Sequence, residues 1–297
     1  MKKTLLVATI ASALYADTVV EGPKLGHVVS RGGVRTVFGI VGASQLGLPT
    51  AKALQKTVVL ANRHLAVGLN ADGGVVSVNL RDGAESVVDM APDMAKVSAL
   101  IASPEGEAFL AISEARAQAF FASGTRGTEF ALPGSPRLLA LADTGNSAAV
   151  VVAEAGGEAL YLLSPGGQRR VLFAAKLPAI AYMPKSGDLV VADESGSIYR
   201  IQGDLDLTKI GAISGMKAIA GTLDGSRVVV AAGRQVHSLR IDSGDVVSAE
   251  CLCDSSVLKP LGASNFVLTE AEDRPLWILS ASGETLRVAF VPEAAHE

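Results

Sequence analysis

The 297-residue chain is 49% hydrophobic, enough for a sizeable core, yet only 4% aromatic, so that core must be assembled from Val, Ala, Leu and Gly. Small branched side chains packed in quantity favour an all-β fold. With 26 basic against 30 acidic residues, a net charge of −4 and no basic block, nothing in the composition would neutralise a phosphate backbone, which argues against a nucleic-acid partner.

The first residues read as an export signal. Met1-Lys2-Lys3 is a positive start, residues 4–14 are apolar and uncharged, and small residues follow at Ala11, Ser12, Ala13 and Ala16. The expected cut follows Ala16, giving a signal peptide over residues 1–16 and a single domain over residues 17–297. A cut after Ala13 would suit the small-x-small rule better. The apolar run falls short of the about 20 residues that a bilayer span needs, so no membrane span is expected. Such a signal places the mature protein in the periplasm or outside the cell.

Next comes a hairpin pattern, HVVSRGGVRTVFGIV, over residues 27–41. With Gly32-Gly33 at its turn it reads as the third and fourth strands of a repeat unit, and residues 17–21 read as a further strand. From there to the end, six four-stranded units follow, over residues 56–90, 97–132, 137–176, 179–213, 218–253 and 258–292. In the second of these, VSALIASPEGEAFLAISEARAQAFFASG shows runs too short for helices and too regularly punctuated for loops.

Two ladders of turn residues hold these units in register. Between first and second strands lie Pro104-Glu105-Gly106, Asp143-Thr144-Gly145, Lys185-Ser186-Gly187, Asp224-Gly225 and Leu261-Gly262. Between third and fourth strands lie Arg81-Asp82-Gly83, Ser123-Gly124, Pro165-Gly166-Gly167, Gln202-Gly203, Ser243-Gly244 and Ser282-Gly283. The steps are about forty residues, the length of a four-stranded propeller blade. The expected fold is therefore a β-propeller, seven blades favoured, with six blades and an extra N-terminal hairpin as the alternative. Neither a sandwich nor an open solenoid suits blades that must bury both faces against neighbours.

The stretch GDLVVAD followed by GSIYRI, over residues 187–201, resembles a blade of the secreted NHL, YVTN and gluconolactonase-like propellers. The other blades share only the turn pattern, and no unit ends in Trp-Asp. The resemblance implies a rigid disc with loop-built faces around a central channel, a fold used by protein-binding scaffolds and by lactone hydrolases.

A search for reactive groups finds little. His27, His64, His237 and His296 sit at unrelated points of the repeat, with no nucleophile elbow or metal-binding His pair beside them. A calcium-dependent lactonase would gather carboxylates at the inner ends of several blades. The candidates are Asn62, Asp143, Asp193 and Asp224. Asp143 and Asp224 already suffice as turn formers, which leaves Asp193 as the weak metal candidate, against a simpler reading as a hairpin residue. Gly39 and Gly42 do not open a helix, so no dinucleotide cofactor, nor any other, is expected.

Cys251 and Cys253, two apart in a strand, have Cα atoms roughly 7 Å apart, the outer limit for a disulfide. Two buried thiols are the first expectation, a strained redox-active bridge the second, and a Cys-x-Cys soft-metal clip the third. The sequence therefore reads as an exported, non-enzymatic propeller that holds a protein or small-molecule ligand on a loop face. The alternative is a metal-dependent hydrolase of the lactonase or esterase kind.

Overall fold

The computed structural model describes residues 22–292 except 92, 93, 95, 156, 174, 204, 205 and 270–274; the expected signal peptide, residues 17–21 and His296 lie outside them. All described strands belong to seven antiparallel sheets arranged as blades in a ring, a seven-bladed β-propeller. The expected fold class and the larger blade count both hold.

Blade 4 shows why the sequence folds this way. Its strands Pro136–Leu141, Ala148–Glu154, Gly157–Ser164 and Gly167–Phe173 pair in order from the axis outward. Successive side chains of a strand point to opposite faces of a sheet. Along Ala148–Glu154, accordingly, Ala148, Val150 and Val152 pack on blade 3 and Ala149 and Val151 on blade 5. Both faces are covered, so the strand reads as one unbroken apolar run rather than an alternating one.

The inner strands Gln55–Leu60, Ala99–Ala102, Pro136–Leu141, Ala179–Tyr182, Ala218–Gly221 and Lys259–Gly262 all begin on one face of the disc, here the opening face. They end on the other, the turn face, where both glycine ladders lie. Blade 6 is built from three strands, Ala218–Gly221, Arg227–Arg240 and Val246–Ser255. The long middle one doubles back at Gly233, whose φ of +67° is free to a glycine and strained for a side chain. The Ile241 amide donates to the Ser226 carbonyl at 3.1 Å, closing the two arms into the second and third strands that the sequence anticipates.

The first blade corrects the reading of the N-terminal hairpin. It consists of β1 (Lys24–Ser30), β2 (Gly33–Ile40) and β3 (Ala43–Ala51), paired in that order. Its Arg31-Gly32 turn sits on the opening face, beside the start of the second blade's inner strand, β4 (Gln55–Leu60), because the Gly33 backbone lies against Ala51 and Ala53. At its other end Leu25 approaches Gly262, which closes the inner strand of blade 7 on the turn face. β1 thus runs opposite to every inner strand. It holds the second-strand position, and the hairpin supplies second and third strands, not third and fourth. The residue that extends the ladder is Gly42, 41 positions before Gly83. β3 was hidden because Gly47 and Pro49 break its apolar pattern.

The ring closes where Val28, Val37 and Leu46 of blade 1 pack on Leu261, Val267, Ile278 and Val291 of blade 7. The Pro292 carbonyl, just past the last strand, accepts from the Leu46 amide at 3.1 Å.

Candidate binding faces and the central channel

The channel is lined by aliphatic groups, with Val59, Ile101, Leu139, Ile180, Ile219 and Pro260 supplied in turn by the inner strands of blades 2 to 7. Among the described residues, no group of three or more His, Cys, Asp and Glu side chains is placed to hold a metal ion. The four metal candidates are spread over both faces. Asn62, Asp143 and Asp224 lie in turns on the turn face, in blades 2, 4 and 6, and Asp193 lies on the opening face.

Asp193 follows the second strand of blade 5, Leu189–Ala192, and closes the turn into the third, Ser197–Gln202. Its carboxylate accepts from the Ser195 amide and hydroxyl (2.9 and 2.6 Å), the Ser197 amide (3.0 Å) and the Tyr199 hydroxyl (3.2 Å). Burial works to raise its pKa, but these donors outweigh burial and hold it below the usual carboxylate value. The last Asp of GDLVVAD thereby shapes a hairpin. Asp224 is likewise held low by Thr222 and Ser226 against burial. Asp143 is pushed up by burial despite its bonds to Ser103 and the Glu105 amide.

Beside Asp193 a cleft of about 400 Å³ opens between blades 4, 5 and 6, lined by Arg137, Glu158, Lys176, Glu194 and Met216. Arg137 clamps the buried Glu158 through two contacts at 2.5 and 2.6 Å and donates to the Leu177 carbonyl at 2.5 Å, while the Leu177 amide returns a bond to Glu158 at 2.8 Å. The turn face holds a larger groove, about 660 Å³, between blades 4 and 5. Leu162, Leu163, Tyr182, Met183, Leu189 and Ile201 form its apolar wall, and Glu105, Asp143, Arg169 and Lys185 its charged rim. The rim is tied across blades: the Glu105 amide donates to Asp143 at 2.7 Å, and the Lys185 amide to Glu105 at 3.1 Å.

Two of the histidines come together. His27 on β1 and His64 after β4 meet edge to face, with ring centres 5.8 Å apart. His27 is buried, and its Nδ1 has no hydrogen-bond partner among the described residues. Burial, then His64 and Lys24, lower its pKa to about 4. His237 pairs with the Ser248 hydroxyl at 2.7 Å on blade 6.

Cys251 and Cys253 are joined in a disulfide with Cα atoms 5.0 Å apart. The approach is closer than a regular strand allows because the pairing slips from Gln235↔Glu250 to Gly233↔Ser255, bulging the intervening residues outward. Leu252 at the crest is 75% exposed.

No protein-family model matches the chain, and no curated protein matches it in sequence. Solved structures do match in fold. A chain of the mitotic checkpoint complex is 14% identical, with 82% of this chain and 80% of that one covered and a TM-score of 0.57. The propeller domain of Cps50 (Swd1) from Myceliophteria thermophila is 14% identical, with 82% and 86% covered and a TM-score of 0.53. PorZ, a surface component of the type-IX secretion system of Porphyromonas gingivalis, is 10% identical over 92% of this chain, with a TM-score of 0.59. This chain spans 39% of the length of PorZ. At these identities the likeness is one of fold.

Proposed function

We propose that this propeller is an exported, non-enzymatic interaction module that seats a protein partner on its turn face. The observation that carries the reading is the groove between blades 4 and 5, whose apolar wall and charged rim of both signs have the make-up of a protein interface. At the level of fold, similar propellers belong to a mitotic checkpoint complex and to a secretion system's surface, which is in keeping with an assembly role. The GDLVVAD and GSIYRI strands resemble a blade of the secreted NHL, YVTN and gluconolactonase-like propellers, and residues 1–16 would direct the chain to the periplasm or beyond.

The test is capture of partners by the tagged mature protein from its own envelope fraction, with and without EDTA, beside the Lys185→Glu variant. A stoichiometric protein that survives EDTA and is lost by the variant is the expected result. A tightly held divalent ion with no partner would instead point to the lactonase-like hydrolase.

A further inference from the structure

Cys251 and Cys253 are the only two cysteines of the chain, and they are bonded to each other. Both lie on the outermost strand of blade 6, Val246–Ser255, toward its opening-face end. Between the paired positions Gln235↔Glu250 and Gly233↔Ser255 the middle strand supplies only Arg234, so neither cysteine has a partner across the sheet. A bridge in that place ties together no two strands and no two blades. The cysteines are only two positions apart, and the constraint that a bridge puts on the unfolded chain shrinks with the loop it closes. Holding the fold together therefore explains little of it. We propose that the bridge is a thiol–disulfide exchange site that takes two electrons from a protein dithiol.

The two sulfurs are set unequally. Cys251 is fully buried among Val229, Val236, Phe266, Leu268 and Leu279. Cys253 is only partly buried at the margin of that cluster, and Leu252 between them is 75% exposed. A thiolate arriving at the rim therefore meets Cys253, with Leu252 as an apolar contact for the protein that carries it. Attack on the Cys253 Sγ forms a mixed disulfide and breaks the bond to Cys251. The electron pair goes to the Cys251 Sγ, which takes up the proton of the partner's second thiol. That second sulfur, now a thiolate, attacks the partner sulfur held on Cys253 and closes the partner's own disulfide. Cys253 leaves with the electron pair and takes up the proton that the first thiol had shed. Two electrons and two protons have then passed from the dithiol to the bridge.

The bulge is held by groups other than the bridge. On one side of it lies the pair Gln235↔Glu250. On the other, the buried Ser255 hydroxyl donates to the Gly233 carbonyl at 2.6 Å, and the Lys217 ammonium donates to the Asp254 carboxylate at 2.7 Å. With both ends of the segment fixed in this way, the reduced thiols stay within reach of one another and the bridge can close again. Bulges at sheet edges serve elsewhere to re-aim a side chain, and here one turns two same-strand cysteines toward each other. The site lies on the rim near the opening face, so the assignment does not depend on the turn-face groove or its partner.

Reduction of the purified, bridged chain by dithiothreitol, read by alkylation and mass spectrometry, tests the proposal without any variant. The bridge of the folded chain should open at a rate within about a hundredfold of that in the chain unfolded in urea, with the circular dichroism of the ring unchanged on reduction. Incubated with oxidised glutathione, Cys251→Ser should carry glutathione on Cys253, while Cys253→Ser should carry none on Cys251. The bridged chain should also convert an equivalent of a reduced peptide bearing a Cys-x-x-Cys pair to its disulfide. Opening slower than that limit, or loss of the ring's dichroism on reduction, would overturn the proposal and make the bridge a structural staple. Glutathione on Cys251 alone, or a peptide left reduced, would overturn it equally.

Discussion

The interface between blades 3 and 4 and the one between blades 1 and 2 are built from the same kinds of residue, yet differ in thickness. The first joins eleven buried residues, among them Leu110, Ile112, Phe130, Leu141 and Val150. The second has three among the described residues, Val34, Ala66 and Leu80, with Ala51 and Val59 partly buried beside them. What separates them is the inner strand, present in blade 4 and missing from the described part of blade 1. A blade with all four strands offers its neighbour a full face of alternating side chains. A three-stranded one leaves the innermost part of that face to the channel, and among the described residues its seam with blade 2 is the thinnest in the ring.

The sharpest way to probe the contrast is to cut into the thick interface. Leu110→Ala, at a site with no solvent exposure, removes three carbons from the thick interface between blades 3 and 4. It should cost about 2–5 kcal/mol, read as a shift of the urea midpoint. An effect no larger than that of a truncation beside blade 1 would mean that the ring is uniformly stable.

Acid should attack the other side first. The pKa of His27 is lowered from its ordinary 6.5 to about 4, so the unfolded chain binds the proton more readily than the folded one. The stability this protects is complete above pH 6.5 and is lost as the pH falls through 6.5 toward 4, by about 2–3 kcal/mol. Urea unfolding at pH 7 and pH 4.5 should show the loss, and His27→Gln should remove most of it. A pH dependence unchanged in that variant would exclude blade 1 as the acid-sensitive element.

The smallest effect belongs to Val34→Ala, which trims two methyl groups from the thin interface. About 1–2 kcal/mol is expected, with the exchange rates of β1 to β3 rising before those of blade 4. Equal acceleration in both blades would show that the ring opens as one unit.

The same two regions mark how far sequence reading reaches. Blade 4 was legible strand by strand, because runs buried on both faces and glycines at the hairpins are local signals. Blade 1 was legible as a hairpin but misplaced by one strand, since an isolated hairpin has the same local pattern in either position. Asp193 stands out in the sequence only because Asp143 and Asp224 suffice as turn formers, and its side chain fits the simpler hairpin reading by holding a turn as well. His27 and His64 gave no sign of their meeting, being 37 residues apart and brought together only by the packing of β1 beside β4. A regular strand would hold the two cysteines too far apart; the bulge that brings them together depends on the pairing with the neighbouring strand.

From its sequence alone this protein is an all-β propeller with a period of about forty residues, because turn conformation and side-chain alternation are set by residues next to one another. Which strand lies innermost, which side chains line the channel and where a groove opens were decided only by closing the ring. Closure sets every strand's direction and neighbour at once, and neither property is written in the residues of one strand. The N-terminal hairpin holds the second-strand position because β3 must deliver the chain to the start of β4 on the opening face, and that leaves β1 running the opposite way.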